Sequence, residues 1–298
     1  MSSMDGAERE AIGTILGAKI RAARGVAGGD VSEAYVLELA DGRRVFAKTR
    51  RDAPEGMFEA EARGLEWLRS AFEDGDAATA LTIPRVLAVG PSPTRAFLVL
   101  ELLEPGRRAP DFDEHLGRGL ARLHRAGAPR FGFEQDNFIG PLPQSNRPAA
   151  TWAEFYRSER LLPQLSMPNA RRLLAGDVRR RFDRLLDALE RWVGEEEPPA
   201  RLHGDLWGGN LHVSPRGTPA LIDPAVYGGH REMDLAMMRL FGGFTERTFR
   251  AYAEAFPLAP GHEERVRLWQ LYPLLVHVNL FGSGYVPSVA GALAPYVP

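Results

Sequence analysis

The residues best placed to do chemistry are Asp205 and Asn210, in Leu202-His203-Gly204-Asp205-Leu206-Trp207-Gly208-Gly209-Asn210-Leu211, together with Asp223 in Leu221-Ile222-Asp223-Pro224. These stretches put two carboxylates and a carboxamide on short loops between apolar runs. Hard oxygen donors of this kind suit a divalent cation that bridges phosphates. A carboxylate among them can orient an attacking hydroxyl or take its proton. Phosphoryl transfer asks for little more, because positioning and charge neutralisation do most of its catalysis. The spacing Asp-x-x-x-x-Asn is weak alone, since Asp and Asn in loops ordinarily close turns or cap helices. Its meaning depends on what the rest of the chain supplies.

A phosphate-binding cation is the first requirement, and the N-terminal part offers one. Lys19 to Val26 reads as a strand, Gly28-Gly29-Asp30 as a tight turn and Glu33 to Leu39 as a second strand. Asp41-Gly42 is a hairpin signal, and Val45-Phe46-Ala47-Lys48-Thr49 is a third strand. A glycine pair usually just relieves positive φ; here Gly28 and Gly29 could also let backbone amides approach phosphates. A lysine near a strand end is commonly a solvated charge. Lys48, however, follows an apolar run and precedes a helix from about Pro54 to Arg69, whose stripe is Phe58, Ala62, Leu65 and Leu68. Of that helix's acids, Glu61 is the expected ion-pair partner of Lys48, with Glu59 the runner-up. A lysine strand, a glutamate helix, an Asp-x-x-x-x-Asn loop and an Asp after the next strand follow the order of a protein-kinase-like fold.

The remaining elements agree with that frame. Residues 1–16 read as a short helix, 70–81 as a loop, and Arg85–Val89 and Arg95–Leu102 as two further strands. The strand-rich region ends at Glu101-Leu102-Leu103-Glu104-Pro105-Gly106, so we place an N-terminal ATP-binding lobe at 1–104 and a C-terminal catalytic and acceptor-binding lobe at 105–298. Helical periodicity begins at Asp111. Residues 131–148 read as a long loop, and Trp152–Leu165 and Val178–Val193 as helices. In the second of these, Phe182, Leu185, Leu186, Leu189 and Trp192 form the expected buried face, and Arg179-Arg180-Arg181 a solvated one. After the catalytic hairpin the chain is helical almost to its end. The expected class is α+β: a bilobal fold with an antiparallel N-terminal sheet, one key helix and a mostly helical C-terminal lobe.

Bulk composition narrows the function classes. The chain has 298 residues and a formal net charge of −2, which leaves no global basic footprint for nucleic acid. It has no cysteine, so disulfides and thiolate chemistry are excluded. No apolar run approaches the roughly 18 residues that span a bilayer, and Met1 to Glu10 carries no apolar signal core. A soluble, cytoplasmic protein without membrane partners is expected.

Two departures from the protein-kinase pattern point to the acceptor. Asp223 is followed by Pro224-Ala225, and only about ten residues separate it from Glu232-Met233-Asp234-Leu235-Ala236. That leaves no room for a long phosphorylatable loop or a peptide-docking platform, so a small-molecule acceptor follows. The stretch His203-Gly204-Asp205-Leu206-Trp207-Gly208-Gly209-Asn210 closely resembles the catalytic loop of the fructosamine-3-kinases, relatives of the aminoglycoside and choline phosphotransferases. The resemblance extends over most of the chain, through Arg44–Lys48, Met57–Glu61, Asp136–Gly140, Tyr227–Ala236, Phe241–Phe244 and Phe281–Tyr285.

This resemblance implies an ATP-dependent kinase that phosphorylates the 3-hydroxyl of small-molecule or protein-bound ketosamines, a deglycation repair activity. It implies Asp205 as proton acceptor, Asn210 and Asp223 as ligands of Mg²⁺, and Lys48 on the α- and β-phosphates with Glu61 orienting it. The backbone of Glu101, Leu102 and Leu103 would meet the adenine. Many relatives carry a cysteine in the phosphate-loop turn; Val26–Ser32 has none, so thiol-based control cannot operate here. Trp207 can stack on a sugar face or wedge the loop against a helix. Asp136, Asn137 and His230 are candidates for lining the acceptor cleft. Asp234 is expected to brace the catalytic loop, and His203 to be a structural hydrogen-bonder rather than a base. The alternatives are a phosphotransferase of aminoglycoside or choline-kinase type with another acceptor, or a catalytically silent nucleotide-binding protein.

Overall fold

The computed structural model describes residues 4–26, 32–74, 79–92 and 94–297. Helix α1 (Gly6–Leu16) starts where the Asp5 carboxylate accepts the Glu8 amide at 2.8 Å and stops at Gly17, which is left-handed at φ 68°. A side-chain oxygen at the start and a glycine past the end satisfy backbone groups that the helix itself cannot pair. Strands β1 (Ile20–Val26), β2 (Glu33–Leu39), β3 (Arg44–Arg50), β4 (Val86–Pro91) and β5 (Ala96–Glu101) form one antiparallel sheet in the order β1-β2-β3-β5-β4. Helix α2 (Met57–Ser70) lies between β3 and β4 in sequence. The period-two alternation of β3 buries Val45, Ala47 and Thr49 and turns Phe46 and Lys48 to the opposite face.

The C-terminal part is mostly helical. Helix α3 (Phe112–Arg125) is followed by a hairpin of β6 (Asn137–Ile139) and β7 (Leu142–Gln144) inside the stretch expected to be a loop. Three-residue strands are too short to carry a period, and the turn between them is made by Gly140 at φ 56° and Pro141. One helical run then comprises α4 (Trp152–Phe155), a π-helical stretch Tyr156–Leu161 and α5 (Leu162–Ser166). Helices α6 (Pro168–Leu173) and α7 (Asp177–Asp187) follow. The expected helix to Val193 ends early, and a 3₁₀ turn Leu189–Arg191 replaces its last turns. This change of period rotates Trp192 off the buried face: it is 36% exposed, with its ring edge-on to Tyr296.

The functional loops sit in a closed circuit of short strands. β8 (Ala200–Leu202) leads into the Asp205 loop. β9 (Leu211–Val213) and β10 (Pro219–Leu221) form a hairpin, Asp223 follows, and β11 (Tyr227–Gly229) returns to pair with β8, Tyr227 opposite Leu202. Helices α8 (Glu232–Phe241), α9 (Glu246–Ala255), α10 (His262–Phe281) and α11 (Val286–Leu293) complete the chain. Among the described residues no helix is long and apolar enough to cross a membrane.

Three apolar clusters hold these parts. One joins α1 to the sheet through Ile12, Leu37 and Phe97. A second joins α2 and β5 to α3 and the catalytic hairpin through Phe58, Leu65, Leu98, Leu116, Leu206 and Leu221. The third, around Trp152, Tyr156 and Trp269, is internal to the helical part. The second cluster welds the sheet to the loops, since each fully buried Leu or Phe contributes about 1.5–3 kcal/mol.

Candidate active site

Lys48 is held at the centre of a carboxylate pair. Its Nζ donates to Glu61 Oε1 at 2.7 Å and to Asp223 Oδ1. Burial alone would lower the pKa of this ammonium, but the two carboxylates raise it above its ordinary value, so it stays charged. Glu59 is not among its partners. α2 brings Glu61 within reach because Gly64 lets the helix sit directly on Val226 and Pro224: an added Cβ would lie 3.3 Å from Val226 Cγ2 and 3.5 Å from Pro224 Cγ.

The Asp205 loop is anchored from below. Gly204 adopts φ +83°, and a Cβ there would lie 2.0 Å from the Ala225 carbonyl oxygen, so no other residue fits. The backbone amides of His203 and Gly204 donate to Asp234 Oδ2 at 2.8 Å and Oδ1 at 2.9 Å. Asp234 lies in the first turn of α8, where the helix dipole favours an anion, and it also contacts His124 Nε2 at 3.2 Å. Burial would raise its carboxyl, but His124, His203 and the Gly204 amide hold it below the ordinary carboxylate range. Burial lowers the pKa of His203. Its Nε2 meets the Ile222 carbonyl at 3.0 Å while Nδ1 accepts the Asp205 amide at 3.3 Å, which defines a neutral imidazole protonated at Nε2. Both nitrogens are thereby used, and His203 does not serve as a base.

Asn210 ties the two acidic loops together. Its Nδ2 donates to the Asp205 carbonyl at 2.8 Å, to Asp205 Oδ2 at 3.2 Å and to the Asp223 carbonyl at 3.3 Å. The amide orientation this requires leaves Oδ1 for a cation. Burial foremost, with the charges of Asp223 and Asp234 adding and the Asn210 bond opposing, pushes the Asp205 carboxyl up to about 7. Asp223 is the only non-glycine among the described residues with positive φ, at 56°. Aspartate tolerates that region better than most residues, and such backbone is found where function demands it. Among the described residues no group of three or more His, Asp or Glu could ring a metal. The pair of Asn210 Oδ1 and the Asp223 carboxylate instead fits Mg²⁺, which takes few protein oxygens and completes its octahedron with phosphate and water.

These side chains line one cleft of about 1220 Å³. Phe46, Lys48 and Glu101, Leu102 and Leu103 are among the residues that border it. There the Leu103 carbonyl is already partnered by His212 Nε2 at 3.1 Å. The lining also carries a set of rings: Trp207, 41% exposed, with Phe241, Tyr272, His277, Phe281 and Tyr285. His277 packs against Phe241 at 4.5 Å and Tyr285 at 4.9 Å between ring centroids, and burial lowers its pKa. Apart from Trp207, this wall was not among the expected site residues. Its signal, aromatic and apolar residues at helical spacing from Tyr272 to Phe281, is the same as that of an ordinary core helix.

Several candidates stand elsewhere. His230 is buried away from the cleft, stacked on Trp269 at 5.4 Å, because Arg231 and Glu232, the two residues that follow it, are drawn into ion pairs with Glu197 and Arg265. Asp136 is exposed outside the cleft, and its Oδ1 caps the Asn146 amide at 2.7 Å. Asn137 borders the cleft, but its side chain is spent on Val226, Gln144 and Asn146. Gly28 and Gly29 lie outside the described residues.

Residues 5–297 match the family described as fructosamine kinase. The chain is 38% identical over 268 residues to a protein of Enterococcus faecium named "probable ketoamine kinase", covering 89% of this chain and 91% of the other. It is 35% identical over 285 residues to a chloroplastic protein-ribulosamine 3-kinase of Oryza sativa subsp. japonica, covering 94% and 80% of the two chains. The crystal structure of a protein described as a fructosamine-3-kinase from Thermobifida fusca superposes with a TM-score of 0.86 at 39% identity, covering 98% of each chain. A more distant likeness, at TM-score 0.64 and 17% identity, is to an aminoglycoside phosphotransferase in complex with ADP and hygromycin B, and shows the protein-kinase-like fold.

Proposed function

Because the chain belongs to the fructosamine kinase family and is thus an ATP-dependent phosphotransferase, we propose that it phosphorylates the 3-hydroxyl of ketosamines, fructosamine or ribulosamine adducts, with Mg²⁺. The observation that carries this reading is the convergence of Lys48–Glu61, Asp205–Asn210 and Asp223 on one cleft that is also lined by Trp207 and other aromatic rings.

In this reading residues 1–104 bind the nucleotide and 105–298 bind the acceptor. Glu101–Leu103 meet the adenine, and Lys48, kept charged by its two carboxylates, steadies the α- and β-phosphates. Asn210 Oδ1 and the Asp223 carboxylate would hold Mg²⁺, which would supply charge neutralisation at the phosphates. Asp205 aligns the acceptor hydroxyl and takes its proton, and the two amides bound to Asp234 keep Asp205 in place. A carboxylate that burial keeps basic is suited to that role. Trp207 presents an open ring face on which the acceptor sugar stacks.

The test is a coupled assay of ATP turnover with a fructosyl-amine model compound beside kanamycin and choline. Turnover on the ketosamine with product phosphorylated at the 3-hydroxyl is expected. Turnover on another acceptor alone would replace the ketosamine reading with the aminoglycoside or choline type.

A further inference from the structure

Arg160 sits in the π-helical stretch of residues 156–161 and is fully buried. Its guanidinium lies over the Tyr227 ring at 3.8 Å and the Phe155 ring at 4.5 Å; Nη1 donates to the Ser145 carbonyl at 2.6 Å and Nη2 to Asn146 Oδ1 at 2.8 Å. These partners are ring faces and neutral oxygens rather than a carboxylate. Burying a cation in this way is costly, and the ring faces offset only part of the cost. A π-helical turn inside a longer helix is frequent at functional sites.

A guanidinium can only donate, so Asn146 must present Oδ1 to it and point Nδ2 away. That Nδ2 donates to Asn137 Oδ1 at 2.9 Å. Asn137 in turn directs Nδ2 to the Val226 carbonyl at 2.8 Å. Gln144 Nε2 donates to Asn137 Oδ1 at 2.8 Å and to the Ala225 carbonyl at 3.1 Å, which leaves only its Oε1. The Tyr272 hydroxyl donates to that oxygen at 2.5 Å. No member of this chain can be reversed without setting donor against donor or acceptor against acceptor. Burial foremost keeps the Tyr272 phenol protonated, with the Asp205 charge among the contributors. Tyr272 therefore has its single proton committed inward while its ring lines the cleft.

We infer that Tyr272 sets acceptor specificity: its hydroxyl oxygen, left able only to accept, takes a hydrogen bond from a hydroxyl or ammonium N–H of the acceptor. Arg160, Asn146, Asn137 and Gln144 are the positioning residues that keep it so. The inference rests on reading the cleft as a phosphoryl-acceptor site. An acceptor lacking a donor at that point leaves a buried lone pair unpaired, which is how a polar site rejects analogues.

The experiment is steady-state kinetics of Tyr272→Phe with the fructosyl-amine model compound and a set of its monodeoxy analogues, with thermal melts to establish folding. The acceptor KM should rise about five- to tenfold, as expected for one neutral hydrogen bond, with kcat and the ATP KM within about twofold. One deoxy analogue that the wild type discriminates against should lose that penalty in Tyr272→Phe; a merely structural role would weaken every member of the set alike. An unchanged acceptor KM, or discrimination that persists throughout the set, overturns the inference and leaves the ketosamine reading standing. If the wild type instead phosphorylates only another hydroxyl acceptor, the ketosamine reading fails. The same KM and deoxy comparison on that acceptor then decides the role of Tyr272.

Discussion

Gly64 of α2 rests on Val226, three residues beyond Asp223, at a distance where an added Cβ would come within 3.3 Å of Cγ2. One contact thus sets both the helix that carries Glu61 and the segment that carries Asp223. Replacing Gly64 by Ala gains about 1 kcal/mol of helix propensity, offset by the squeeze on a side chain that can yield, so ATP KM and Tm should stay near wild type. Gly64→Leu should push α2 outward, separate Glu61 from Lys48 and raise the ATP KM by about tenfold or more, as expected when small misplacements remove oriented contacts. A Leu variant with wild-type ATP kinetics would show that this contact does not position the helix.

Lys48→Met removes the charge shared by Glu61 and Asp223. We expect kcat to fall roughly 10²–10³-fold, the scale for losing one charge-stabilising donor, together with a weaker ATP KM. Glu61 is left buried and unpaired, so the single variant should also melt lower. Adding Glu61→Gln should restore part of that loss, and thermal melts of the four proteins in the double-mutant cycle measure it. Strict additivity of the two changes would dissolve the coupling.

Asp205→Asn should retain ATP binding, read by nucleotide-dependent Tm, while turnover drops by orders of magnitude. It should also stabilise the nucleotide-free protein in a pH-dependent way. The folded carboxyl titrates near 7 against 3.8 as its ordinary value. Its contribution is therefore fully present below pH 4 and is lost as the pH rises to about 7, at up to about 1.4 kcal/mol per pH unit. The variant's Tm advantage should be smallest at pH 4, grow to pH 7 and level off above. An advantage independent of pH would place the ionisation elsewhere.

Asp234→Ala deprives the His203 and Gly204 amides and His124 of their acceptor. The cost should be about 3–5 kcal/mol, as for other buried hydrogen-bonded charges that lose a partner, or roughly 2–4 °C of Tm per kcal/mol. Asp234 is depressed in the folded protein, so its stabilisation is present above the ordinary value of 3.8 and is lost as the pH falls through the folded pKa. The gap between wild type and variant should be constant from pH 6 to 8 and shrink below about pH 4. Because Asp205 hangs from the same amides, kcat should fall with it; a stable, fully active variant would remove Asp234 from the loop's support.

How far the site can be read from sequence depends on how local its signals are. Lys48 and Glu61 were legible because a strand end and a helix stripe each have a short period that limits which residues face the same way. Asp205, Asn210 and Asp223 were legible because their spacing along one hairpin sets their distance in space. His230 was misjudged because two glycines mark a turn without saying which way the next ring points; the ion pairs of Arg231 and Glu232, reaching back to Glu197 and on to Arg265, turned it inward. The β6–β7 hairpin and the early end of α7 escaped because strands of three residues and a 3₁₀ turn are shorter than the windows in which periodicity is detected.

By itself the sequence determined the bilobal α+β class, the order of the parts and the phosphoryl-transfer chemistry, since these follow from residue type and local spacing. Tertiary structure alone decided the state of each group. Burial among Asp223 and Asp234 sets the basicity of Asp205, two carboxylates from distant elements keep Lys48 charged, and Asn210 turns its amide so that Oδ1 is left for a cation. It also decided that Tyr272, held through a chain of amides that begins at Arg160, 112 residues away, commits its hydroxyl proton to Gln144. Desolvation and hydrogen-bond polarity depend on which surfaces close around a group, and those surfaces come from parts of the chain that no local pattern connects.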